Sequence, residues 1–223
     1  MNSYVNDLAN PILCPTDVQG HQATVLAAIY EDDCNMAIWK RDLPQAVKQS
    51  VSEFLKNNMG LQVSMTLSPE QANEVIYKAL GGVDGIKDLS DSISELVDVF
   101  CCLFELERVA LRLTVLDKAM CPRFHVDRVP ARLVTTYQGS ATEWLPHASV
   151  DRIKLGHGSQ GKKDEVSGLY KRSEDIQQLS SGDVALLKGE RWEGNEGAGL
   201  VHRSPVLQAN EKRLLLTMDF NEY

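Results

Sequence analysis

The 223-residue chain predicts an α+β fold, with a helical region over residues 1–108 packed on a β-rich half over residues 109–223. Three observations carry this expectation. Before Arg108, apolar residues recur at helical spacing in three stretches. After it, short segments rich in β-branched residues alternate with Gly, Pro and Asp. The length, at roughly 100–200 residues per domain, suits one large unit or two small ones, and we expect one compact unit with chain enough for a core.

The first helix is expected from Pro44, with Val47, Val51, Phe54 and Leu55 on one face until Asn57, Asn58 and Gly60 stop the pattern. A second begins at Ser68-Pro69-Glu70, an N-cap, a proline at the first helical position and an acidic first turn, and ends at Gly81-Gly82. The third runs from about Ser90 to Arg108 behind a stripe of Ile93, Leu96, Val97, Phe100, Leu103 and Phe104. Expected strands are Ala110–Leu116, Arg123–Arg128, Ala131–Tyr137, Asp183–Lys188, Gly199–Arg203 and Arg213–Phe220. Many short strands with turn punctuation predict a sandwich or barrel. The polar stretch from about Gly156 to Ser173 reads as a long loop, either a mobile lid or a disordered segment.

Composition narrows the function. With 43% hydrophobic and 24% charged residues the chain is of ordinary globular type. A balance of 23 Lys+Arg against 31 Asp+Glu, net −8, argues against a generic nucleic-acid binder. The acidity is uneven: residues 1–108 hold 7 basic and 16 acidic side chains, and residues 109–223 hold 16 and 15, with nine of the eleven arginines. A small-molecule or anionic substrate is therefore electrostatically reasonable in the β half. Five cysteines (Cys14, Cys34, Cys101, Cys102 and Cys121) without a CxxC pair predict no disulfide framework and a reducing, cytoplasmic setting. No basic leader, apolar h-region or apolar run of about 18 residues is present, so neither export nor a membrane is expected.

Two of the five histidines stand out. His21, His147 and His157 lie without a metal-ligand context and read as surface residues. His125-Val126-Asp127 lies in the block Cys121-Pro122-Arg123-Phe124-His125-Val126-Asp127-Arg128. On a strand, residues i and i+2 share a face, so that imidazole and carboxylate converge. His202 follows in a later strand, in Leu200-Val201-His202-Arg203-Ser204-Pro205. Two histidines and one carboxylate are the ligand set of a facial triad on non-haem Fe(II), which leaves positions open for a co-substrate and dioxygen. Cys121, four residues before His125, is a further candidate ligand, and a thiolate would close a tetrahedral Zn2+ set instead. Arg123, Arg128 and Arg132 crowd the block and would draw anions to its mouth, unless they pair with nearby acids on a solvated face.

His-x-Asp, a distal His, and then Arg213 after ten intervening residues resemble the Fe(II)- and 2-oxoglutarate-dependent oxygenases of the cupin superfamily. The resemblance implies a double-stranded β-helix, a cupin-like jelly roll, in the β half. It implies His125, Asp127 and His202 as metal ligands and catalytic centre, Arg213 as the partner of the distal carboxylate of 2-oxoglutarate, and the Tyr137 hydroxyl as a second contact to that carboxylate. A guanidinium fork suits a carboxylate. A closer resemblance, over about Leu111 to Phe220, is to an uncharacterised bacterial family known only as a domain of unknown function. Its blocks stand here as Met120–Arg128, Thr136-Tyr137-Gln138-Gly139 with Thr142-Glu143-Trp144, Gly182–Gly189, Trp192-Glu193-Gly194 and Leu200–Pro205. That family points toward metal homeostasis. The expected function is therefore a dioxygenase of this type with unknown substrate, and the alternative is a non-catalytic zinc protein for storage, sensing or delivery.

Overall fold

The computed structural model describes residues 15–58 and 60–221; Cys14 and the opening residues read for a leader lie outside them. Ten strands and three substantial helices follow in the order β1 (Thr16–Gly20), β2 (Cys34–Trp39), α1 (Gln45–Asn57), β3 (Gln62–Leu67), α2 (Pro69–Ala79) and α3 (Lys87–Phe104), then β4 (Val109–Leu116), β5 (Ala131–Gln138), β6 (Glu143–Leu145), β7 (Gln177–Gln178), β8 (Val184–Lys188), β9 (Val201–Arg203) and β10 (Arg213–Phe220). They form a seven-stranded sheet in the order β1-β2-β8-β5-β10-β4-β3 and a three-stranded sheet in the order β7-β6-β9. All pairings in the large sheet are antiparallel except β1 with β2.

Period-two alternation sorts the large sheet into two faces. Leu111, Leu113, Leu133, Val184, Leu186, Leu214, Leu216 and Met218 face one cluster with Val51 and Phe54 of α1, Ile76 of α2 and Ile93, Leu96 and Phe100 of α3. The intervening Val134, Ala185, Leu187 and Leu215 face the other way, into a cluster with Trp144 of the small sheet. Helices thus cover one face and the small sheet covers the other. Two-sided burial explains why β8 reads as an unbroken apolar run, Val-Ala-Leu-Leu, in place of an alternation.

The three expected helices are present, with α3 starting at Lys87 and ending at Phe104, short of Arg108. Glu105 stops it in the left-handed region at φ 53°, where the Leu106 N–H bonds back to the Cys101 carbonyl at 2.9 Å. The first 108 residues are nevertheless not a helical region alone, since β1, β2 and β3 come from them and are hydrogen-bonded into the large sheet. β2 sits between β1 and β8 with its first five residues buried, so it lacks the alternation that marks a strand in a sequence. β3 does alternate, Gln-Val-Ser-Met-Thr-Leu, but was not among the expected strands. No helix among the described residues is long and apolar enough to cross a membrane.

The Gly156–Ser173 stretch departs from a plain loop. It holds short 3-10 turns and a four-residue helix, α4 (Asp164–Ser167), with Leu169 buried beside Phe124 and Leu145. Buried Asp164 ties it to the His125 segment by accepting from the Phe124 N–H at 2.8 Å and from Arg123 Nε at 3.1 Å.

Candidate metal centre

The expected strand Arg123–Arg128 reduces to a single bridge, His125 with His202. Pro122 and Pro130 bracket the segment, and its other backbone groups bond elsewhere. The Phe124 N–H takes Asp164, the Asp127 carbonyl accepts from the Glu190 N–H at 3.0 Å, and the Pro130 carbonyl accepts from the Gly189 N–H at 2.8 Å. Within the bridge, each histidine N–H donates to the other's carbonyl at 3.0 Å, which brings the ring centroids to 4.6 Å. Convergence of the ligands therefore comes from β9 rather than from a strand around Asp127.

Both rings are held the same way round. His125 Nδ1 lies 2.9 Å from the Arg123 carbonyl and His202 Nδ1 lies 3.2 Å from the Leu200 carbonyl. A carbonyl can only accept, so Nδ1 carries the hydrogen in each neutral ring and Nε2 keeps the lone pair. The Nε2 atoms face Asp127, at 3.6 Å to Oδ1 from His125 and 3.3 Å to Oδ2 from His202. One ligand atom from each of the three lies within 4.8 Å of the others. Carbonyl partners that fix the tautomer are what metal-binding histidines use.

Asp127 is oriented by Arg132, whose Nη1 donates to Oδ2 at 2.8 Å, while Nε and Nη2 donate to the two oxygens of Asp219 at 2.7 and 2.8 Å. Burial works against the Asp127 carboxylate, but His202, Arg132 and His125 outweigh it and hold the group well below the usual carboxylate range. His125 is lowered by burial and by the neighbouring His202, against the opposing pull of the Arg123 carbonyl and Asp127. Both effects favour an ionised carboxylate beside a neutral imidazole, the protonation state a cation needs.

A cavity partly open to solvent lies between the two sheets and is lined by His125, His202, Arg132 and Arg213. Arg213, at the start of β10, is 1% exposed. Its Nε and Nη2 donate to Thr136 Oγ1 at 3.2 and 3.1 Å, and Nη2 also donates to Thr142 Oγ1 at 2.8 Å. No described carboxylate forms an ion pair with it; Asp219, a candidate partner along the same strand, is taken by Arg132. Burial pushes Arg213 down to about 10, with Glu211 only partly opposing.

Cys121 is an exposed free thiol that lines the same cavity but stands outside the convergent set of three. Tyr137 is not brought to the site. It lies one residue from Thr136, hence on the opposite face of β5, buried in the helix-side cluster with its hydroxyl 3.2 Å from Ser92 Oγ. Of the arginines around the block, Arg123 pairs with Asp164, Arg132 with Asp127 and Asp219, and Arg128 is exposed. Asp164, Asp219 and the two threonines that hold Arg213 support the site from positions distant in sequence; Thr136 and Thr142 lie in the family blocks, but nothing in those blocks showed that they meet Arg213.

The described fold is similar to several solved structures. The dioxygenase for auxin oxidation 1 of Arabidopsis thaliana, in its 2-oxoglutarate binary complex, matches with a TM-score of 0.49 at 8% identity, covering 94% of this chain and 93% of that one. A prolyl-4-hydroxylase of Pseudomonas putida matches at 0.47 and 11%, covering 90% and 98%. The dioxygenase for auxin oxidation of rice matches at 0.47 and 11%, covering 92% and 82%. Likenesses of this grade settle neither a reaction nor a ligand. No curated protein matches the chain. The model of the family described as "Protein of unknown function (DUF1826)" matches residues 20–219, which take in strands β2 to β9, most of β10 and every residue of the candidate centre, and the chain belongs to that family.

Proposed function

We propose that the protein is a non-haem Fe(II)/2-oxoglutarate-type oxygenase acting on a small-molecule substrate in the cytoplasm. One observation carries the reading: one cavity is lined by both histidines of a two-histidine, one-carboxylate set and by a buried arginine without a carboxylate partner, with Asp127 beside the histidines. The donor set fits the metal, because two imidazoles and one carboxylate leave coordination positions open. Ferrous iron, when bound, supplies dioxygen chemistry in which 2-oxoglutarate and O2 become succinate and CO2 while the second oxygen atom enters a substrate C–H bond. His125, Asp127 and His202 would hold it, and Arg132 keeps the carboxylate of Asp127 aimed.

Arg213 would receive the distal carboxylate of the co-substrate, aimed by Thr136 and Thr142, and the anion would neutralise a cation that is otherwise buried without one. In this reading the two sheets are the halves of a double-stranded β-helix. The test is a titration of anaerobic Fe(II) protein with 2-oxoglutarate. A visible charge-transfer band, and succinate formation lost in His125→Ala, are expected; absence of both would overturn the proposal.

A second reading, zinc storage, sensing or delivery, rests on the Cys121 thiol in the same cavity. It predicts that Cys121→Ser lowers Zn2+ affinity strongly and leaves 2-oxoglutarate binding unchanged.

A further inference from the structure

The cavity is rich in arginine in an acidic protein. Arg112, Arg132, Arg203 and Arg213 line it with His125 and His202, behind which lies the carboxylate of Asp127. Three of these arginines are engaged. Arg132 holds Asp127 and Asp219, Arg203 bonds to Glu143 at 2.6 Å and approaches Glu165, and Arg213 is fixed by Thr136 and Thr142. Arg112, in the middle of β4, is exposed and forms no hydrogen bond or ion pair with a described residue.

Position separates Arg112 from Arg213. Even-numbered residues of β4 face the cavity, and the register sets Arg112 opposite Thr217 of β10 and Ser64 of β3. Arg213 lies opposite Leu116, at the far end of the same strand pair. The nearby Asp219 borders a shallow hollow with Arg112 but has both oxygens bonded to Arg132. Among the described lining residues Arg112 is thus the one arginine without a partner, and it is exposed where Arg213 is buried.

We propose that Arg112 anchors an acidic group of the primary substrate, so that the substrate is a small organic anion, a carboxylate or a phosphate ester, distinct from the co-substrate at Arg213. This rests on the oxygenase reading above only for the words primary substrate and co-substrate. A guanidinium offers a planar fork of N–H donors that suits either anion, and Arg112, unlike Arg132 and Arg203, has no described acid already neutralising it.

The test titrates the full chain with inorganic phosphate, phenyl phosphate and benzoate, read by ligand-observed NMR and thermal shift, with and without Mn(II) and 2-oxoglutarate. At least one probe is expected to bind, at least tenfold more weakly in Arg112→Gln, with partial recovery in Arg112→Lys and no change in the exposed Arg128→Gln. The phosphate and benzoate arms separate the two acid types. Binding of 2-oxoglutarate to the Mn(II) form of Arg112→Gln is expected to stay within twofold of wild type. The proposal is overturned by any of three results: no probe binds the wild type, Arg112→Gln binds as tightly, or Arg112→Gln loses 2-oxoglutarate. Retained probe binding without any 2-oxoglutarate binding would overturn the oxygenase reading alone.

Discussion

Each imidazole can offer a lone pair only from the nitrogen its hydrogen bond leaves free, so two backbone carbonyls, those of Arg123 and Leu200, decide how this site meets a cation. His-x-Asp, the distal histidine and Arg213 were legible because each lies in a short block whose chemistry is local. Tyr137 was not, because a one-residue step along β5 moves a side chain to the other face, and the sequence around it carries apolar residues on both.

Arg213 yields the first prediction. A buried cation held only by hydroxyls opposes folding in the ligand-free protein at neutral pH, and its lowered value means the penalty is relieved only as pH rises past about 10. Arg213→Met is expected to raise the ligand-free stability by about 1–2 kcal/mol in urea unfolding, allowing for two threonine hydroxyls left without their donor. The same variant should lose the thermal shift produced by 2-oxoglutarate. A destabilised variant that still binds 2-oxoglutarate would contradict this role.

Between elements, the site depends on close approach. A Cβ on Gly189 would stand 2.1 Å from the Val129 carbonyl oxygen and 2.9 Å from that of Asp127, so only glycine lets the end of β8 lie against the ligand segment. Gly189→Ala should cost about 1–3 kcal/mol and displace Asp127, weakening Mn(II) affinity by about 10–100-fold in calorimetry. Asp164→Ala leaves the buried Phe124 N–H without an acceptor, at a cost of about 1–3 kcal/mol, and should loosen His125 in the same titration.

The connection before β10 is tied to that after β5 by Glu211, which accepts from the Ser140 N–H and hydroxyl at 2.5 and 2.7 Å and from the Gln208 N–H at 2.7 Å. The Gln208 and Ser140 hydrogen bonds lower its value, so this stabilisation is full above the unfolded carboxylate value and fades as pH falls through the folded one. Glu211→Gln should flatten the fall in melting temperature below about pH 4.5, by a margin under about 1 kcal/mol because the group is solvent-screened. Gly189 ends one of the family blocks, but the roles of these three supports could not be read from the chain. Gly189, Asp164 and Glu211 act on residues between 3 and 71 positions away, and their partners are set by register and loop docking rather than by a motif.

At the scale of the molecule, the acidic first half and the arginine-rich second half are not side by side, since β2, with β1 on its outer edge, pairs onto β8 and β3 pairs onto β4 within one sheet. What divides the molecule is the large sheet itself, with helices on one face and the cation-lined cavity on the other. The ligands converge there only in the folded chain, because His125 and His202 are joined through a single bridge across a long sequence separation. An unfolded chain has no such set, so the free energy of metal binding adds to the stability of the fold. At a free metal concentration 100 times the dissociation constant the gain is about 2.7 kcal/mol. For a chain of this length that is a rise of roughly 5–10 °C in melting temperature. Protein stripped with a chelator and scanned with added Mn(II) should show the rise. In His202→Ala it should vanish, because one imidazole and one carboxylate no longer enclose the ion. An equal rise in that variant would mean that the cation binds elsewhere on the molecule and that the cavity is not its site.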